Sequence, residues 1–289
     1  RSKLLRGKPI SSTIPAIPIP LVRALRRPNK SKALNNDVAR LRDSIDIIRL
    51  DFNLSAIQII LSTILTNKIT KKPMFPAELH RKIKESAIIA VLVIDDAANA
   101  VPLARALLRG GIGAMELTLR TDAALDSLRA IRDEVPEMLA GIGTILTTDQ
   151  VDAVVAAKAA FGVAPGLNRR VVEYAQDKGL PFGPGIVTPS DIEQGIELGC
   201  RTLKYFPAET AGGLKHLKNM AAPYQHIGID FIPLGGLNAN NMSDYLASPL
   251  ISAIGGSWIA SRDLIAAQNW DQIEANARQA RENADAARA

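Results

Sequence analysis

From residue 86 onward the chain repeats one pattern eight times: a short apolar, β-branched run, then a longer stretch with helical spacing. That alternation limits the fold more than any other feature. Parallel strands need long crossover connections, and helices are the usual ones, so the pattern calls for a parallel sheet covered by helices. The first run, 87–94 (AIIAVLVI), is continuously apolar, as suits a strand buried on both faces. A helix is expected at 97–109, with apolar residues at 101, 103, 104, 107 and 108, and Gly110-Gly111 to end it. Further strands are expected at 114–118, 139–143, 161–164, 181–183, 202–206, 231–234 and 251–255. Helices are expected at 122–134, 148–159, 169–178, 189–198, 214–221, 239–246 and 270–288. Eight such units in about 200 residues predict an α/β fold, a closed (β/α)8 TIM barrel. An open doubly wound sheet would want GxGxxG after its first strand. Asp95-Asp96-Ala97-Ala98 stands there instead, and no GxxxxGK[ST] occurs.

The residues before this pattern differ from it in charge. Residues 1–73 carry 15 Lys and Arg against four acidic residues, net +11, whereas 74–289 carry 20 against 25, net −5. Of the 20 glycines, only Gly7 lies before Met74, which is the first methionine. The shift divides the chain into a basic extension, 1–73, and a barrel domain, 74–289. An Arg/Lys-rich, acid-poor start fits a leader or an organelle-targeting segment. Translation from Met74 would make the extension a start-site artefact, and a real appendage is the remaining reading. Some helix is expected within 39–65, where Leu and Ile are frequent.

Composition removes several functions. No apolar run reaches the ~18–20 residues of a membrane span. A single cysteine, Cys200, allows neither an internal disulfide nor a CxxC motif. Three scattered histidines give no metal centre. An aromatic content of 4% speaks against a nucleic-acid stacking platform. Neither nucleic acid nor membrane is expected as a partner.

In a barrel of this kind the chemistry sits at the C-terminal strand ends. On the second strand Glu116, Thr118 and Arg120 share one face by period-2 alternation. If that face is the interior, a carboxylate and a guanidinium enter the core, and each needs a partner or a ligand. The sixth strand places Lys204 in mid-strand among apolar and aromatic neighbours, with Phe206 on the same face. A desolvated lysine is a nucleophile that forms a Schiff base with a carbonyl, and the protonated imine stabilises an adjacent carbanion. A structural bridge between Lys204 and Glu116 is the equally open alternative. Gly235-Gly236 and Gly255-Gly256-Ser257 follow the last two strands, where barrels commonly bind phosphate and where a following helix N-terminus would add its dipole. Gly143-Thr144 and Pro165-Gly166 end the third and fourth strands with small residues and one hydroxyl.

These residues, with Pro184-Gly185-Ile186-Val187-Thr188-Pro189, Lys204-Tyr205-Phe206-Pro207-Ala208-Glu209 and Gly255-Gly256-Ser257-Trp258, resemble the bacterial KDPG/KHG aldolases in order along 75–273. That resemblance implies a class I aldolase (a carbon–carbon lyase) on a cytoplasmic, homotrimeric (β/α)8 barrel, needing neither metal nor other cofactor. Its substrates would be keto-deoxy sugar acids: 2-dehydro-3-deoxy-6-phosphogluconate, in the Entner–Doudoroff route, and 4-hydroxy-2-oxoglutarate. Lys204 would be the Schiff-base lysine and Glu116 the general acid/base. Arg120 and Thr144 would hold the carboxylate at the pyruvate end, and Pro165 and Phe206 would shape the pocket. Gly235, Gly236, Gly255, Gly256 and Ser257 would receive the phosphate. The family usually has Thr at the position of Leu234, and often Ala at Ile142 and Ser at Ala164, so one hydroxyl beside the phosphate is missing. Two other readings remain open. One is a barrel lyase or isomerase of another phosphorylated sugar acid. The other is a non-catalytic protein that binds polyanions through its basic extension.

Overall fold

The computed structural model describes residues 74–289, so the expectations for 1–73 fall outside the described residues. The first element, α1 (Ala77–Ser86), has no counterpart among the expected helices. Its only apolar anchors are Leu79 and Ile83, four residues apart, too few to show a period in the sequence. Then come β1 (Ile88–Leu92), a 3₁₀ turn at Ala97–Asn99 and α2 (Ala100–Arg109). The helix expected at 97–109 is therefore split. The Asp96 carboxylate accepts from the Ala98 N–H and holds a separate turn, and Pro102 sits in the first turn of α2, where its missing N–H is not needed.

The next elements are β2 (Ala114–Thr118), α3 (Ala124–Glu134), β3 (Leu139–Gly143), α4 (Thr148–Ala156), β4 (Gly162–Val163) and α5 (Arg169–Asp177). Thr147 opens α4 with a capping box closed by Gln150, and Asn168 caps α5. Helix α4 stops short of residue 159 because Lys158 turns left-handed at φ 57°. The Lys158 and Ala159 N–H groups then bond back to the Val155 and Val154 carbonyls, which closes the helix end.

The expected fifth strand is two short pieces, β5 (Phe182–Gly183) and β6 (Gly185–Ile186), broken at Pro184, which has no N–H for a ladder. There follow α6 (Pro189–Glu197), with a Thr188–Asp191 capping box, β7 (Thr202–Tyr205) and α7 (Gly213–Ala221). An unexpected 3₁₀ segment, Ala222–Ile227, leads to β8 (Asp230–Pro233). Helix α8 is only Met242–Leu246, not 239–246. The Asn238 and Asn241 side chains bond to local backbone instead, the usual way Asn competes with a helix. The chain ends with β9 (Ile254–Gly256), the unexpected α9 (Arg262–Ala266) and α10 (Trp270–Arg288), which falls where it was expected.

All strand pairs are parallel. One curled sheet runs β5-β4-β3-β2-β1-β9 and a second runs β6-β7-β8. They meet twice. Pro184, between β5 and β6, accepts from the Lys204 N–H at 3.0 Å. On the other side Phe231 of β8 bridges Ile251 in parallel, three residues before β9. Helices cover the outside, and Ile273, Ala277, Ala280 and Ala284 of α10 form its buried face. Among the described residues no helix is long and apolar enough to cross a membrane.

Candidate active site

Strand β2 is buried along its whole length, so its alternation decides which side chains enter the interior. Glu116 is 2% exposed and Thr118 5%. Thr118 spends its hydroxyl on the Leu92 carbonyl at 3.0 Å, which fastens β2 to β1. From across the interior comes Lys204 of β7, 7% exposed. Its Nζ donates to Glu116 Oε1 at 3.1 Å and approaches Oε2 at 3.4 Å. The same Nζ lies 5.6 Å from the centre of the Phe206 ring, within cation–π range. Two charges are thus held out of bulk water, each with the other as partner, which relieves the cost of burying either one alone.

The pair opens into a cavity of about 370 Å³ at the C-terminal strand ends. Arg120, Thr144, Pro165 and Phe206 line it, as do Gly235, Gly236, Gly255 and Ser257. Gly256 is not among the lining residues. A Cβ on Gly256 would run into the Trp258 indole, so packing explains that glycine. Thr144 holds a left-handed backbone at φ 65°, a strained conformation for a β-branched residue. Among the described residues the Arg120 guanidinium makes no ion pair or hydrogen bond, so its charge is available to an anion in the cavity.

The glycine turn after β8 has the character of an anion cradle. Gly235 and Gly236 both take positive φ, 95° and 84°, open to glycine at little cost. Among the described residues no acceptor takes either N–H. The expected help from helix dipoles is absent in form: α8 and α9 have five residues each and begin at Met242 and Arg262, several residues past the glycines. What the turn offers an anion is therefore backbone N–H groups and not a helix end. Leu234 also lines the cavity and packs over Gly255. The sequence reading left Val91 and Leu237 out of the site, though both line it. Apolar residues at strand ends carry no chemical signal, and only the register of Val91 opposite Glu116 would have found the first.

Elsewhere, a cavity of about 420 Å³ opens at the N-terminal strand ends. Its Glu85 is taken by Arg81 and its Arg132 by Asp133 and the Ala157 carbonyl, so it is a salt-bridged surface. Among the described residues no group of three or more His, Cys, Asp or Glu converges as metal ligands would.

Known proteins resemble this chain in sequence and fold. The family model for KDPG and KHG aldolase matches residues 79–276. The chain is 40% identical over 196 residues to 2-dehydro-3-deoxy-phosphogluconate aldolase of Haemophilus influenzae, covering 68% of this chain and 92% of that protein. It is 40% identical over 197 residues to the KHG/KDPG aldolase of Escherichia coli K12, covering 68% and 92%. A KDPG aldolase crystal structure from Legionella pneumophila holds pyruvate as a covalent carbinolamine intermediate. It superposes with a TM-score of 0.66 at 36% identity, over 69% of this chain and 96% of that one. The chain belongs to the KDPG and KHG aldolase family.

Proposed function

We propose that this chain cleaves 2-dehydro-3-deoxy-6-phosphogluconate to pyruvate and glyceraldehyde 3-phosphate, and 4-hydroxy-2-oxoglutarate to pyruvate and glyoxylate. The observation that carries the reading is the buried Lys204–Glu116 pair, 3.1 Å apart, facing a cavity with one cation unpaired among the described residues, Arg120, and glycine N–H donors. Glu116 takes a proton from Lys204, and the free amine adds to the substrate's C2 carbonyl. Glu116 returns the proton to the carbinolamine oxygen, water leaves, and the protonated imine forms. Glu116, again a carboxylate, then takes the proton of the C4 hydroxyl. The C3–C4 bond breaks, its electron pair flows into the imine, and the aldehyde departs. The remaining enamine is protonated at C3, and water releases pyruvate and the free lysine.

Arg120 and the Thr144 hydroxyl are assigned to the C1 carboxylate, Pro165 and Phe206 to the walls around the imine. Gly235, Gly236, Gly255 and Ser257 are assigned to the phosphate. The closed (β/α)8 barrel belongs to the same proposal, supported by the two junctions at Pro184 and Phe231–Ile251. So do the division at residue 74, supported by a family match that begins at 79, and the cytoplasmic homotrimer implied by the family resemblance.

Incubating the full chain with pyruvate and borohydride tests the chemistry. A stable mass adduct on Lys204 is expected, with neither adduct nor turnover in Lys204→Met. A folded wild-type protein that forms no adduct would remove the imine mechanism.

A further inference from the structure

One carboxylate near the cavity has no part in the steps above. Glu209 lies in the loop after β7, exposed on one side. Its N–H donates to the Gly235 carbonyl at 3.0 Å. Its side-chain stem lies against Gly236: a Cβ on that glycine would fall 2.6 Å from the Glu209 Cβ and 2.8 Å from its Cγ. Its carboxylate Oε1 accepts from the Tyr245 hydroxyl of α8 at 2.5 Å. Tyr245 is 2% exposed, and burial together with this bond holds its phenol protonated, well above the usual tyrosine range. From the other direction, Asn238 and Asn241 both donate to the Gly236 carbonyl at 3.2 Å. The glycine turn is therefore held between Glu209 on one side and the start of α8 on the other, and the Glu209–Tyr245 bond closes the clamp.

We propose that Glu209, acting through Tyr245, is a positioning residue that aims the Gly235 and Gly236 N–H groups at the phosphoryl group of the substrate. This rests on the aldolase reading for the identity of the anion. The clamp itself is geometry. Glycines at positive φ have wide conformational freedom, so N–H groups on them bind an anion well only if something else fixes the turn. Glu209 touches neither the imine carbon nor the cleaved bond, so its influence falls on binding of the phosphorylated end. Simple electrostatics predicts the opposite sign: a carboxylate near a phosphate repels it, and removing the charge should tighten binding.

That difference of sign makes the test decisive. Inorganic phosphate is titrated into the full chain, and its Kd is read from the Gly235 and Gly236 amide shifts in ¹⁵N spectra. KM for the phosphorylated substrate and the rate of pyruvate trapping are measured beside it. Glu209→Ala and Tyr245→Phe are each expected to weaken phosphate and to raise that KM, by about tenfold, the scale of one well-placed hydrogen bond. Pyruvate trapping should stay within about twofold, since the lysine is untouched. Glu209→Gln, which keeps the acceptor oxygen and loses the charge, should bind phosphate at least as well as wild type. Tighter or unchanged phosphate binding in Glu209→Ala and Tyr245→Phe would overturn the proposal, and so would an equal loss in pyruvate trapping. If wild type traps no pyruvate, the aldolase mechanism fails, and phosphate binding still decides the role of Glu209.

Discussion

The most exacting residue beside the Lys204–Glu116 pair is one with no side chain. Gly143 stands opposite Thr118 in the β2–β3 register. A Cβ added there would overlap Glu116 Oε1 and lie 2.5 Å from Cδ. The obstructing atoms are the far end of a flexible side chain, so Gly143→Ala should fold and instead push the Glu116 carboxylate away from Lys204. Displacements of this size cost catalysis on the order of 10²-fold. Steady-state kinetics should show kcat reduced by roughly that factor, with a urea midpoint close to wild type; unchanged kcat would mean that the carboxylate acts from some other position. The sequence marked Glu116 and Lys204 because charge in an apolar strand is costly and conspicuous. It marked Arg120 by the same strand's alternation and Thr144 as the one hydroxyl among small strand-end residues, and the family resemblance alone gave the two a carboxylate to hold. It was silent on why Gly143 must be glycine, because that depends on which strand lies beside β2 and in which register. It gave no sign that Gly256 lies against the Trp258 indole, since a glycine beside an indole and a glycine beside an anion are written with the same letter.

At the scale of elements, what the sequence showed well was local. Helices α4 and α6 begin at residues 148 and 189, where expected, and the structure opens each with a capping box within four residues, Thr147 with Gln150 and Thr188 with Asp191. What it missed was held by distant partners. Helix α1 reads as a short polar stretch, yet His80 on it donates to Asp230 of β8 at 2.6 Å, and Ser252 donates to the other oxygen of Asp230 at 3.1 Å. Those bonds span 150 and 22 residues, beyond any periodicity. The Asp230 carboxylate raises the His80 pKa above its ordinary value of 6.5, against partial burial and the nearby Lys84 charge. Arg201 borders the same small cleft. A histidine with a raised folded-state value stabilises fully below the unfolded value, and this contribution is lost as pH rises through the folded one. His80→Gln keeps a donor and cannot titrate. The stability difference between wild type and this variant, from urea unfolding, should therefore be full below the ordinary value of 6.5 and shrink as pH rises above it. A difference independent of pH would show that the bond holds α1 without its charge.

Across the described residues, the ties made by the last helix and the cavity sit at opposite ends of the strands. At the N-terminal ends, Arg281 of α10 donates to the Ser86 carbonyl and Arg288 to the Ser252 carbonyl, each at 2.7 Å, so the last helix ties the starts of β1 and β9. Gly110 lets α10 lie close against the end of α2, since a Cβ there would fall 2.7 Å from the Glu274 carbonyl oxygen. The C-terminal ends carry the cavity and the Lys204–Glu116 pair. If this separation is complete, the fold does not need the pair, which bears directly on whether the two charges are a structural bridge or a reaction centre. A buried pair replaced as a unit by apolar side chains of similar volume is often neutral or stabilising by ~1–4 kcal/mol, whereas removing one partner can cost ~3–5 kcal/mol. Lys204→Met alone should therefore be inactive and less stable, because it leaves the Glu116 carboxylate without its cation. The double variant Glu116→Leu/Lys204→Met should be equally inactive and recover wild-type stability or exceed it. Urea unfolding of the two variants and wild type decides the matter. Recovery means that the fold tolerates a buried ion pair it does not need; a double variant as unstable as the single would make the pair a strut of the fold.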